Sequence, residues 1–301
     1  MATPAAKIRE IGEGAIDRVE HQDWLEPLAE RLQGAVSAAY QAGGPAGRRI
    51  RDFLHGTWLG HPLHPVLTDV PLGAWTVAAT VDLVSGDDDR MNRAADAAVA
   101  VGLVGAVGAA VTGLTDWHHT AGGDRRVGLM HGLLNVSATG LYAVSLALRL
   151  RGARGAGRAI GGLGFTVALG AAYLGGHLVY RKRIGVDHAP RAAWDDFVAV
   201  LHEFELAEST ARRIDVRGVP VVLIRRAGQL HALADQCAHL GGPLSEGSLD
   251  EVSIRCPWHG SRFALADGTV LEGPATFTQA CFEVRVRDGQ IELRPRQPRG
   301  I

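Results

Sequence analysis

Two short stretches of this chain carry side chains that bind metal. The first is Cys237-Ala238-His239, and sixteen residues later comes Cys256-Pro257-Trp258-His259. Two thiolates and two imidazoles at this spacing suit a tetrahedral zinc ion. The order of the ligands favours a different arrangement. Each stretch offers one Cys and one His, so two facing loops can put both thiolates on one iron and both imidazoles on a second. Gly241, Gly242 and Gly260 crowd the same stretches, and without a Cβ they let backbone N–H groups approach sulfur. The third and last cysteine, Cys281, has no partner for a disulfide. With Phe277 and Phe282 beside it, it reads as a small core residue.

The two stretches closely resemble the Rieske family. His239-Leu240-Gly241-Gly242-Pro243-Leu244 and Cys256-Pro257-Trp258-His259-Gly260 are similar to its two cluster loops, and Gly273-Pro274 to its proline loop. The resemblance covers residues 210–295. It implies one 2Fe–2S cluster held by Cys237, His239, Cys256 and His259, and it implies one-electron transfer. In high-potential members a Ser and a Tyr donate hydrogen bonds to the sulfurs. Here Ser261 is present and Phe263 stands at the Tyr position, which implies a lower potential. The disulfide of quinol-oxidising members is missing, since Leu240 and Trp258 occupy its positions.

The elements around these loops are short strands. Apolar and β-branched runs at 219–224, 230–233, 252–254, 262–264, 282–286 and 291–293 predict a small antiparallel domain. Asp267-Gly268 and Asp288-Gly289 are hairpin-turn signals within it. Upstream the period changes. Apolar segments at 66–84, 94–115, 127–150 and 159–180 approach the roughly 20 residues that cross about 30 Å of hydrocarbon. Gly164, Ala168, Ala172 and Gly176 recur at four-residue steps, a pattern that lets membrane helices pack closely. The expected fold is therefore multidomain: an N-terminal all-α four-helix transmembrane bundle followed by a small all-β domain. The expected boundaries are 1–50 for a polar helical segment, 51–185 for the four spans, 186–210 for a charged, partly helical linker, and 211–301 for the Rieske-like domain. Within the first segment, Asp23 and Pro27 predict a helix start and Gly43-Gly44-Pro45 its end.

Histidines mark one end of the four spans. His61 and His64 precede the first, His118 and His119 follow the second, His131 lies early in the third, and His177 late in the fourth. Antiparallel connection gathers all six on one side, where the β domain also emerges. Imidazoles at a membrane edge are costly without partners. His61, His64, His131 and His177 are candidates for a haem b or quinone site, with Asp69 and Asp116 placed to orient imidazoles. His131 with Asn135 one turn on can equally form a packing contact. The stretch from Leu54 to Gly73, containing His61-Pro62-Leu63-His64-Pro65, resembles an uncharacterised family of four-span bacterial membrane proteins, as does Gly175-Gly176-His177-Leu178-Val179-Tyr180.

Arg and Lys count nine on the His side (48, 49, 51, 125, 126, 181, 182, 183 and 191) and six in the opposite loops. That excess predicts a cytoplasmic His side. The first 50 residues lack the apolar core of a signal peptide. A net charge of −1 gives no basic patch for nucleic acid. No Ser/His/Asp arrangement or phosphate loop stands out. The expectation is a multi-pass cell-membrane electron carrier, a component of an oxidoreductase system. It exchanges single electrons between its cluster and a redox site at the His-rich face, with a partner protein or a quinone. The alternative is a tethered ferredoxin that serves a separate oxygenase or reductase.

Overall fold

A computed structural model describes residues 3–86 and 88–296. The outermost residues of the first and last expected segments, 1–2 and 297–301, lie outside the described residues. The chain forms two compact units, one of Met1–Ile50 with Leu63–Ile184, the other of Arg51–Pro62 with Gly185–Ile301.

Unit one is helical. Helices α4 (Leu63–Val84), α5 (Asp89–Trp117), α6 (Gly122–Leu150) and α7 (Arg154–Tyr180) are long and apolar enough to cross a membrane. Their outward faces are apolar: Val104 is 76% and Leu83 is 87% exposed. A soluble bundle would place charge there. The interior is built in levels. Trp75 of α4 stacks on Tyr142 of α6 with ring centroids 4.1 Å apart. Small residues on the other two helices make room for them. A Cβ on Gly102 would fall 2.1 Å from Trp75 Nε1, and one on Gly164 would fall 3.2 Å from Tyr142. At one end Arg149 is paired with Asp82 and stands 3.4 Å from Asp96.

Two shorter helices, α1 (Pro4–Glu20) and α2 (Leu25–Ala42), precede the spans. Ile16 is buried with Val127 and Leu174, and Leu25 and Ala29 with Trp117 and Leu129. The side-chain amide of Gln33 donates to the carbonyls of Trp117 and Thr120. The predicted start of α2 needs correction. It begins at Leu25 with Trp24 as N-cap and no side-chain cap from Asp23. Pro27 falls in the first turn, where a missing N–H leaves no helical hydrogen bond unmade. The break after Ala42 falls as expected, but a further helix, α3 (Gly44–His55), follows at once. Gly44 makes the turn at φ +52, a conformation that costs glycine little.

Unit two is a β domain. A six-stranded antiparallel sheet runs β1-β10-β9-β4-β3-β2, from β1 (Val198–His202), β2 (Thr210–Val216), β3 (Val219–Arg226), β4 (Gln229–Ala234), β9 (Cys281–Arg287) and β10 (Gln290–Pro295). A smaller sheet joins β5 (Ser248–Leu249), β6 (Ser253–Arg255), β7 (Arg262–Ala264) and β8 (Val270–Glu272) in sequence order. Val221, Val222, Leu223 and Ile224 of β3 are all fully buried, as in a strand covered on both faces. The expected linker at 186–210 is corrected: Leu201 of β1 pairs with Ile291, so 198–202 is an edge strand of the sheet. It was missed because five residues between charged flanks carry little periodic signal. Residues 51–62, expected at the head of the spans, cluster with the β domain.

Candidate metal centre

The two predicted cluster loops leave from strand ends, the first after β4 and the second after β6, and both fold the same way. The N–H of Gly241 donates to the carbonyl of Cys237 at 2.8 Å, and that of Gly260 to the carbonyl of Cys256 at 3.1 Å. Each glycine stands four residues after its cysteine and takes φ near +80. This turn aims backbone N–H groups at sulfur. Those of His239 and Leu240 donate to the Cys237 thiol, and those of Trp258 and His259 to the Cys256 thiol. Such donors stabilise a thiolate.

The loops converge. The two thiols share a hydrogen bond; it pushes Cys237 up, together with burial, and against burial it brings Cys256 down to about 7. A Cβ on Gly242 in the first loop would fall 2.9 Å from the Cys256 sulfur in the second, so only glycine allows this approach. Both sulfurs are buried, with Cys237 1% and Cys256 3% exposed. The rings of His239 and His259 are partly exposed, 5.0 Å apart and perpendicular. Burial lowers the His259 pKa, which favours the neutral ring a metal requires. Two buried thiols backed by four amide donors, beside two imidazoles nearer the surface, fit an asymmetric iron pair.

Sequence reasoning missed the groups that hold these loops. Gln279 is fully buried. Its side chain donates to the carbonyls of Ala234 and Gln236 and accepts from the N–H of Ala238, which stitches the first loop to the strand that leads into it. No motif marks it, because the contact spans some forty residues. Asp235 accepts from the N–H of Ser245. Arg255 donates to the carbonyl of Gly260 and pairs with Glu272 at the end of β8. Arg51, from the upstream segment of this unit, reaches the same carboxylate and the Gly273 carbonyl. The N–H of His188 donates to the carbonyl of Ala238. Ser261 is buried and its hydroxyl oxygen accepts from the N–H of Ala275, leaving its own hydrogen to be donated. Phe263 is fully buried and brings no hydroxyl. Cys281 donates to the carbonyl of Asp267 and packs against the core.

Of the histidines named for the helical unit, His64 and His131 meet, with ring centroids 6.4 Å apart. Asn135 also donates to His131 Nε2 at 3.2 Å. His177 Nε2 instead faces Glu20 at 3.8 Å. His61 is exposed in unit two, with Nδ1 3.1 Å from the Pro62 carbonyl. The orienting role proposed for Asp69 is corrected. Nδ1 of His64 donates to the Ala109 carbonyl and Nδ1 of His131 to the Ala171 carbonyl, while Asp69 is exposed.

Paired thiol–imidazole loops on a small antiparallel domain define an iron–sulfur protein, here in one chain with four helices long and apolar enough to cross a membrane. Residues 196–283 match the Rieske [2Fe-2S] domain, and residues 60–188 match a predicted membrane protein domain, DUF2231. Ferredoxin CarAc of Metapseudomonas resinovorans is 35% identical over 88 residues, which is 29% of this chain and 82% of that protein. The 3-phenylpropionate/cinnamic acid dioxygenase ferredoxin subunit of Escherichia coli (strain K12) is 35% identical over 97 residues, 31% of this chain and 91% of that protein. Apoptosis-inducing factor 3 of Homo sapiens is 30% identical over 120 residues, 39% of this chain, and the match spans only 20% of that relative's length. The chain belongs to the Rieske [2Fe-2S] family, with a DUF2231 domain ahead of the Rieske domain. That domain binds one 2Fe–2S cluster.

Proposed function

We propose that this protein carries single electrons at the cell membrane, with Cys237 and Cys256 holding one iron of the cluster and His239 and His259 the other. The observation that carries this reading is the convergence of two like-folded loops on a pair of buried sulfurs and a pair of partly exposed imidazoles. The bound cluster supplies reversible uptake of one electron. The chain's own groups set how tightly that electron is held. Neutral imidazoles leave the centre less negative than four thiolates would. The four loop N–H groups and the Ser261 hydroxyl lend further positive charge to the sulfurs. Phe263 withholds one donor, so the potential lies in the lower part of the roughly −150 to +300 mV spanned by Rieske centres. Electrons enter and leave through the imidazole side, which is the less buried.

The redox partner is a site in the helical domain, haem or quinone, at the end where His64 and His131 meet. The four helices span the bilayer with the Rieske domain on the cytoplasmic side, a reading supported by the nine-to-six excess of Arg and Lys. A second reading has support from relatives named as ferredoxins of dioxygenase systems. On it, the cluster serves a separate oxygenase or reductase and the helices only anchor it.

The test is an inventory of detergent-purified full-length protein. The expected result is two irons and two acid-labile sulfides per chain. Dithionite should bring up a rhombic spin signal of mixed His/Cys ligation, absent from Cys237→Ser and His259→Ala. One zinc ion without sulfide would overturn the reading. Full electron delivery to an added oxygenase by protein lacking haem and quinone would select the second reading.

A further inference from the structure

The two hairpins α4–α5 and α6–α7 carry residues of matching role at matching positions. A single constant offset in the numbering carries His64 to His131, Trp75 to Tyr142 and Asp82 to Arg149. A second carries Gly102 to Gly164, Ala109 to Ala171 and Gly113 to Gly175 on the partner helices. The first three pairs meet in space, each copy against its counterpart. Trp75 stacks on Tyr142, Asp82 pairs with Arg149, and His64 approaches His131. At two of these levels the partners are complementary, one by ring stacking and one by charge. The histidine level is different.

There each ring is held in the same way. His64 Nδ1 lies 2.9 Å from the Ala109 carbonyl and His131 Nδ1 lies 2.8 Å from the Ala171 carbonyl. Each ring also rests on the equivalent glycine: a Cβ on Gly113 would be 2.8 Å from His64 Cε1, and one on Gly175 would be 3.0 Å from His131 Cε1. A carbonyl can only accept, so Nδ1 carries the proton in both rings and Nε2 carries a lone pair. Two imidazoles with this tautomer offer each other no hydrogen bond through Nε2. Among the described residues no donor reaches His64 Nε2. Asn135 reaches His131 Nε2 at 3.2 Å while holding the His131 carbonyl at 2.9 Å, so its amide keeps a partner when Nε2 is taken. An Nδ1–H bonded to a backbone carbonyl is the usual support of a metal-binding imidazole. Metal–nitrogen bonds of about 2 Å put two rings on opposite sides of one ion about 6 Å apart, centroid to centroid.

We propose that His64 and His131 are the protein ligands of a single metal centre inside the helical domain, either haem iron or a bare transition-metal ion that prefers imidazole. The proposal deepens, and rests on, the reading of a redox site in that domain. It assigns no role in ligation to His61 or His177.

The experiment uses full-length protein purified in detergent, with a haemochrome assay and elemental analysis as readouts. It compares wild type with His64→Leu, His131→Leu and His177→Leu. Wild type should hold one haem, or one metal ion beyond the two cluster irons. Either of the first two changes should lower that content at least tenfold, and His177→Leu should leave it unchanged. The spin signal of the reduced cluster, read on the same samples, reports folding. In a second arm, wild type purified without haem or extra metal is offered haemin or Zn(II), and it should take up one equivalent of one of them. Haem uptake identifies a haem site, and zinc uptake alone a bare-ion site. No extra metal and no uptake in either form would overturn the proposal, as would retention in both His64→Leu and His131→Leu. Failure of the electron-carrier reading appears separately, as missing sulfide or missing spin signal.

Discussion

At the scale of single residues, function is tuned by hydrogen bonds to sulfur. Phe263 is fully buried beside the second loop, so Phe263→Tyr should place a hydroxyl near the cluster sulfurs. A hydrogen bond to a charged acceptor is worth roughly 1.5–3 kcal/mol, and only the difference between oxidation states moves the potential. The expected rise is on the order of tens of millivolts, read by spectroelectrochemical titration, and an unchanged midpoint would show that the tyrosine donor is not what separates the two classes. Asp250 makes a case in stability. Its carboxylate is held at about 2, chiefly by the Ser253 hydroxyl, with the N–H groups of Val252 and Ser253 and the Arg262 guanidinium. A folded-state value below the ordinary 3.8 means stability present above that pH and lost as the pH falls towards 2. Asp250→Asn should lower the thermal midpoint of cluster loss at pH 7. The gap to wild type should narrow below pH 4, and a gap that stays constant with pH would contradict the linkage.

At the scale of elements, turns and close approaches decide the geometry. Three hairpins of the β domain use the same two-residue turn with both residues at positive φ: Arg217-Gly218, Ala227-Gly228 and Asp288-Gly289. This conformation matches the twist of the strands. Only the last was legible in the sequence, because Asp-Gly is a recognised signal while Arg-Gly and Ala-Gly are not. In each, glycine carries the second left-handed position and the first residue is carried by strand pairing. Among the helices, Gly102 is the tightest approach to an aromatic ring. Gly102→Ala should destabilise the helical domain by about 1–3 kcal/mol, the usual cost of overpacking, measured by thermal unfolding in detergent. Gly170 has open space around it, and Gly170→Ala should be tolerated. Equal effects at the two positions would argue against close packing as the cause.

At the scale of the whole molecule, the helical domain is a duplicated hairpin whose copies differ in charge. Asp82 and Asp96 in the first copy face Arg149 and Arg158 in the second. Arg149 has a side chain only 1% exposed. Breaking a pair this buried should cost roughly 3–5 kcal/mol, so Asp82→Asn should sharply lower detergent stability. Exchanging the charges, Asp82→Arg with Arg149→Asp, should recover much of the loss, and failure to recover would show that the surrounding packing, not the pairing, carries the stability. The same duplication brings His64 to His131. The sequence showed both histidines on one side of the spans but not that they are equivalent positions, since the two copies share few identical residues and the repeat is expressed in roles.

Residue types and local spacing determined the cluster loops, the four spans and most strands. The ligands of each loop lie within four residues, and a span is a run of apolar residues, so short-range pattern suffices for both. Tertiary structure alone decided what lies between distant segments. It set Gln279 under the first loop, drew residues 51–62 and the strand at 198–202 into the β domain, and brought His64 of one hairpin to His131 of the other. Those choices depend on which side chains meet after the chain has closed on itself, and such meetings leave no trace in local periodicity.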